Sequence, residues 1–241
     1  MIMSITVEIL YPEFANLFGD MMNMKYLKAC VPEIEMIETK INNPPAFLSQ
    51  PVDMIYLGPM TENQQELVIS KLLPFKSKIE EFIQQGVIFL FTGNAMEIME
   101  DYIENEDKSR IKGLGIFPLY AKRDMFHRYN SMILGEFEGM KLIGFKAQFS
   151  HSYGDNTKEF FYHVTRGCGI EPHSKLEGLR RNNFFGTYTV GPFLLLNPLF
   201  VKYLLQLLGV ENPHLAFEET IMEAYQKRLT EFEKEQIKGF A

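Results

Sequence analysis

Apolar and polar positions alternate in blocks along the first ninety or so residues. Ile5 to Leu10 is a short apolar run of strand character, and Phe14 to Ala29 follows with helical spacing. Pro32 to Thr39 reads as a second strand through Ile34, Met36 and Ile37. A Pro-rich loop, Asn42 to Pro51, leads to a third strand over Pro51 to Leu57 that stops at Gly58-Pro59. Glu62 to Gln85 carries Leu67, Ile69, Leu72, Leu73, Ile79 and Phe82 at helical spacing and should kink at Pro74, where the ring removes a donor and clashes with the preceding turn. Val87 to Phe91 is a fourth, wholly apolar strand. Strand and helix alternating in this way predict right-handed crossovers and a mostly parallel sheet with helices on both faces.

The pattern changes after residue 115. Phe117 to Ala121, Ser131 to Phe137, Leu142 to Phe149, Phe160 to Thr165 and Asn183 to Thr189 are short strand-like runs separated by Gly, Asp and Asn, which predicts hairpins added at the edge of the first sheet. Pro198 to Gly209 and Leu215 to Ile237 read as closing helices, with Asn197 as N-cap and Pro198 at the first helical position. No repeat or linker interrupts the chain. The expectation is an α/β three-layer sandwich over residues 1–241 as one domain, with a helical extension at about 212–241.

Composition narrows the function classes. A net charge of −7 disfavours nucleic acid as a partner, since phosphate binding needs clustered Lys and Arg. Cys30 and Cys168 are far apart and fit no metal spacing, so they read as reduced thiols of a cytoplasmic protein; neither a metal nor a cofactor is expected. Met1 to Ser4 opens no basic-then-apolar leader, and the most apolar segment, Val190 to Gly209, is broken by Asn197-Pro198 and Lys202, so no membrane association is expected.

The candidate chemistry sits at Gly86-Val-Ile-Phe-Leu-Phe-Thr92-Gly93-Asn94, followed by a helix-like Ala95 to Ile103. Buried strand, tight turn and helix are the parts of a nucleophile elbow, with Thr92 as the presented side chain. Threonine attacks only when a neighbouring base takes its proton. In open α/β sheets ligands collect at the carboxyl ends of strands, which here are Gly58-Pro59-Met60 and Thr92-Gly93-Asn94.

Five further segments carry a resemblance. They are Leu10-Tyr-Pro-Glu-Phe-Ala-Asn-Leu-Phe-Gly19-Asp20-Met-Met-Asn23, Val52-Asp-Met-Ile-Tyr-Leu-Gly58, Lys112-Gly-Leu-Gly-Ile-Phe, Gly144-Phe145, and Gly186-Thr-Tyr-Thr-Val-Gly-Pro192 with Asn197-Pro198. In this order they resemble the class I glutamine amidotransferases of the cobyric acid synthase-like branch, most nearly the glutaminase subunit that partners a Mur-ligase-like protein in lipid II amidation. The resemblance implies a flavodoxin-like fold and a Mur-ligase-like partner. It ends near residue 208.

That family uses a cysteine at the elbow and a histidine in the Gly-Pro motif. The resemblance places them on Thr92 and Val190, so no catalytic pair is intact. Valine moves no proton, and a threonine hydroxyl without a base does not ionise near neutral pH. Pro59 also lacks the N–H that an oxyanion loop would use. The expected ligand pocket comprises Gly58, Thr92, Gly93, Asn94, Arg128 and Gln148, with the Arg128 guanidinium suited to a carboxylate or amide ligand and Ser150 beside it. Glu97 and Glu100 read as a solvated helix face, His151 as a surface loop residue, and Cys168 as a small residue in a glycine-rich turn. The expected function is a binding, scaffold or regulatory subunit. The alternative is an amidotransferase or hydrolase with Thr92 or Cys168 as an atypical nucleophile.

Overall fold

A computed structural model describes residues 5–234. Residues 1–4 and 235–241, and with them the reading of the N-terminal leader and the tip of the C-terminal extension, lie outside the described part. The central sheet has six strands in the order β13-β14-β4-β3-β1-β2. Here β1 is Thr6–Leu10, β2 Glu35–Thr39, β3 Met54–Leu57, β4 Ile88–Thr92, β13 Leu179–Arg181 and β14 Phe184–Thr187. All neighbours are parallel except β13 with β14. Strands β3 and β4 are buried at every position, which is why both read as unbroken apolar runs.

Helices α1 (Met22–Cys30) and α5 (Pro198–Leu207) pack one face of the sheet; α2 (Glu62–Leu72) and α3 (Lys76–Gln85) pack the other. Gln64 accepts from the Thr61 backbone N–H at 3.1 Å and starts α2. A 3-10 turn at Leu73–Phe75 contains Pro74 and divides α2 from α3, as the sequence predicts.

The second half departs from the expectation of edge hairpins. Only β13 and β14 join the central sheet. The rest build two separate four-stranded sheets, β10-β7-β5-β6 and β12-β11-β8-β9. Their strands are β5 (Glu100–Glu104), β6 (Arg110–Lys112), β7 (Phe117–Arg123), β8 (Tyr129–Phe137), β9 (Met140–Gln148), β10 (Ser150–Tyr153), β11 (Tyr162–Arg166) and β12 (Leu176–Glu177). Each small sheet turns its apolar side onto one face of the central sheet. Helix α6 (Glu218–Glu233) lays Tyr225, Leu229 and Phe232 on the outer side of β8 and β9.

Three local readings are corrected. The helix expected from Phe14 begins only at Met22, because a 3-10 turn at Leu17–Gly19 comes first with Phe18 at φ +61°. Ala95 to Ile103 is a 3-10 segment, Gly93–Met99, followed by strand β5. The carbonyls of Ile98, Met99 and Glu100 accept from Leu114, Ile116 and Gly115, so tertiary pairing overrides the helical spacing. The Asn197 side chain does not cap α5, which begins at Pro198. Instead it accepts from Ile143 N–H at 2.8 Å and donates to the Ile143 and Phe193 carbonyls, tying β9 to the short helix α4 (Phe193–Leu196).

Candidate functional site

The carboxyl ends of β1, β3 and β4 meet beside the strand-order reversal between β1 and β3, where open α/β sheets place ligands. A cavity of about 280 Å³ opens there. Pro59, Met60, Gly93 and Asn94 line it from the strand ends, Gln148, Phe149 and Ser150 from the β9–β10 junction, and Tyr188 and Val190 from the segment after β14, with Phe18 and Arg128 also lining it. Asn94 locks the two strand ends together: it donates to the Met60 carbonyl at 2.8 Å and accepts from Met60 N–H at 3.0 Å.

The turn after β4 is built differently from the sequence reading. Thr92 is extended (φ −113°, ψ 150°), fully buried, and absent from the cavity lining. The residue with left-handed backbone is Gly93, at φ +59°. A Cβ built on Gly93 would lie 2.6 Å from the Pro59 Cβ. The apex of the turn therefore carries no side chain, and proline fills the space one would need. Val190 does line the cavity, paired with Phe145 through a single antiparallel bridge, but Thr92 does not face it. Gly58 is absent from the lining as well, because its α-carbon side abuts the Ala15 carbonyl.

The Thr92 hydroxyl donates to Asp20 Oδ2, which also accepts from Tyr56 OH at 2.5 Å. Asn23 donates to the Tyr56 oxygen at 3.3 Å and accepts from Leu194 N–H at 2.7 Å. Burial raises the Asp20 carboxyl above its ordinary range, and its Oδ1 has no partner among the described residues. This network fastens the β1–α1 loop, β3, β4 and α4 beneath the cavity. The Gly19-Asp20 and Asn23 signature was the only trace of it in the sequence.

Glu97 and Glu100 are fully buried, not a solvated face. Glu97 accepts from Ser150 Oγ, from Tyr188 OH at 2.7 Å and from Gln65 Nε2 at 2.8 Å. Arg123 donates at 2.8 Å to Gln65 Oε1, one link behind. Ser152 Oγ lies 2.5 Å from Glu100 Oε1 and 2.7 Å from Tyr188 OH. With Tyr188 donating to Glu97 and Ser152 to Glu100, the Ser152–Tyr188 contact has a proton to share only when one of the two glutamates is protonated. Burial and the neighbouring Glu97 charge push Glu100 well above the ordinary carboxylate range.

This arrangement sets a sign for stability against pH. Above the ordinary glutamate value of 4.5 the unfolded chain releases a proton that native Glu100 keeps. Stability is therefore complete below that value and falls as pH rises toward the native one. Asp20 and Glu97, also raised by burial, act in the same direction. His151, pushed down to about 4, acts in the opposite direction below its ordinary value of 6.5, so the test is a difference between proteins: in urea unfolding at pH 5 and pH 8, Glu100→Gln, which keeps a donor for Ser152, should lose less stability at pH 8 than the parent chain does.

The other candidates lie elsewhere. Cys168 is buried, its Sγ 2.9 Å from Tyr129 OH, and does not line the cavity. His151 is on β10, not a loop, in a neighbouring cleft; burial and Lys146 push it down to about 4, so it is neutral. Arg128 sits with its guanidinium 5.7 Å from the rings of both Phe18 and Phe149 and has no acidic partner among the described residues. The structure thus brings Gly93, Asn94, Arg128 and Gln148 together and leaves Thr92 and Gly58 outside.

Comparison with known proteins decides the family. The profile of the CobB/CobQ-like glutamine amidotransferase domain matches residues 6–197. The chain belongs to that family. Among curated amidotransferase relatives, the lipid II isoglutaminyl synthase (glutamine-hydrolyzing) subunit GatD of Staphylococcus aureus is 25% identical over 193 residues, covering 79% of each chain. The Streptococcus pneumoniae GatD subunit is also 25% identical, over 77% of this chain and 73% of its own. A crystal structure of a glutamine amidotransferase aligns with a TM-score of 0.56 at 13% identity, over 84% of this chain and 99% of that one. A second, from Thermotoga maritima, gives 0.51 at 10% identity over 92% of both. At those identities the structures establish the amidotransferase fold. No described helix is long and apolar enough to cross a membrane.

Proposed function

We propose that this chain is a non-catalytic amidotransferase-fold subunit that holds a small amide or carboxylate ligand in the cavity over β4 and works with a Mur-ligase-like partner. One observation carries the reading: the apex of the elbow is Gly93, whose side-chain space Pro59 fills, and Val190 stands in the same cavity where an imidazole would be needed. Without a thiolate and a base, amide hydrolysis has neither its attacking atom nor its proton donor for departing ammonia. An atypical nucleophile finds no support, since the Thr92 hydroxyl is committed to Asp20 and Cys168 packs on Tyr129 outside the cavity. Ser150 lines the cavity, but its hydroxyl donates to Glu97 and, among the described residues, no imidazole bonds to it. The GatD relatives, each described as a subunit of a synthase, support a partner, and the motif resemblance supports its Mur-ligase-like character.

Purified protein should release no ammonia from glutamine, alone or with a co-expressed Mur-ligase-like subunit. Turnover lost on Thr92→Ala or Cys168→Ala would overturn the reading. Titration calorimetry should show binding of a small carboxylate such as glutamate or glutamine. Arg128→Ala should weaken it by about ten-fold or more, the scale of one charge-assisted hydrogen bond.

A further inference from the structure

A second cleft, about 650 Å³ and open to solvent, adjoins the first and shares Arg128 and Phe149 with it. Its floor is the outward face of β7 and β10. Register places Tyr153 opposite Tyr120, and Tyr120 opposite Tyr102. The three rings stack in a row, Tyr102 to Tyr120 at 5.0 Å and 13° and Tyr120 to Tyr153 at 5.9 Å and 28°. Arg110 closes one end, its guanidinium 4.3 Å over the Tyr102 ring. The other end, Tyr153, stands in the cleft, where Lys122 Nζ lies 5.2 Å from its ring. Phe126, 83% exposed at the tip of the β7–β8 turn, adds an aromatic wall that no described residue covers.

The ion pairs around this cleft leave two of its cations unpartnered. Lys108 is paired with Glu104 and Arg123 with Glu66, while Asp124 accepts from the Phe126 and His127 N–H groups and lies 3.0 Å from His127 Nδ1. Glu106 accepts from Met125 N–H at 2.6 Å. Among the described residues Lys122 and Arg128 have no salt-bridge partner, and the carboxylates of Glu106 and Asp124, which accept from backbone N–H groups of the β7–β8 turn, share the cleft with them. Buried His151 contributes no charge near neutral pH. Two cations outside any ion pair suit the oxygens of a phosphate, and stacked rings ending at Tyr153 suit a planar π-system. The volume lies within the roughly 300–1,000 Å³ of small-molecule sites.

We propose that this cleft binds a mononucleotide, with the base stacked as a further rung on the tyrosine ladder at Tyr153 and the phosphate held between Lys122 and Arg128. The proposal is independent of whether the first cavity is catalytic, but Arg128 lines both, so a carboxylate bound there and a nucleotide bound here compete for it. Its test is calorimetric titration of the full chain with AMP and UMP, against adenosine, ribose 5-phosphate and inorganic phosphate. A mononucleotide should bind at least about ten-fold tighter than any of the three fragments, because both halves of the site are then used. Lys122→Gln and Tyr153→Ala should each weaken that binding by about ten-fold or more, and Tyr153→Phe, which keeps the ring, should preserve it. Thermal unfolding reports whether each variant folds; if Tyr153→Ala does not, Lys122→Gln and the fragment comparison decide. No binding at millimolar nucleotide would overturn the proposal. So would equal binding of ribose 5-phosphate or inorganic phosphate, or binding indifferent to Lys122→Gln.

Discussion

Lys146→Met should cost about 3–5 kcal/mol of unfolding free energy, the range seen when one partner of a buried ion pair is removed. Lys146 Nζ lies 2.5 Å from Glu177 Oε2, and both side chains are wholly inaccessible. The ammonium also donates to the Gly169 carbonyl at 2.5 Å. The other Glu177 oxygen accepts from Thr187 Oγ1 at 2.9 Å and from Tyr188 N–H at 2.8 Å. Removing the lysine leaves a buried carboxylate with two donors and no countercharge. Removing the glutamate strands an ammonium and two donors at the end of β14. A total stability of about 5–15 kcal/mol makes either loss large. The double change Lys146→Met with Glu177→Leu should cost much less than the sum of the singles, because no lone charge stays buried. Urea unfolding of the four proteins measures the coupling. Additive losses would mean that the two side chains act separately and that the short contact carries no energy.

This pair also marks where the sequence stops being legible. Val87 to Phe91 announces a doubly buried strand, and Pro74 announces a helix break, because each signal is local. The parallel sheet and the amidotransferase fold follow from such runs and from ordered motifs. Burial of a charged side chain is decided by partners that the chain brings from far away. Glu97 meets Ser150 53 residues on and Tyr188 91 residues on. Lys146 meets Glu177 across 31 residues. Glutamates at helical spacing after a strand look solvated until those partners are known, and the helix itself fails because β6, β7 and their flanks claim its backbone. The pocket was partly legible for the same reason: Gly93 and Asn94 are strand-end residues whose position needs no partner. Which of Thr92 and Gly93 forms the apex depends on one backbone torsion that composition does not encode.

That torsion makes the last expectation testable. Gly93→Ala should destabilise the protein by roughly 2–4 kcal/mol, combining the left-handed φ of +59°, worth about 1–2 kcal/mol for an L-residue, with a Cβ driven to 2.6 Å from the Pro59 Cβ. Pro59→Ala keeps the offending carbon and should give no relief; Pro59→Gly removes it. Combined with Pro59→Gly, Gly93→Ala should cost less than it does alone, with a favourable coupling of about 0.5–3 kcal/mol. The residual cost is then the backbone strain. The cycle distinguishes two accounts of why the apex carries no side chain. If Pro59 holds the space that an apex side chain would need, coupling is strong, and Gly93→Cys is accommodated only with Pro59→Gly. Coupling near zero would mean that the loop at Pro59 yields freely and that the left-handed backbone at Gly93 alone disfavours a side chain. On either account Gly93→Cys or Val190→His by itself should release no ammonia from glutamine, because a thiol without a base and a base without a thiol each leave one half of the proton transfer undone.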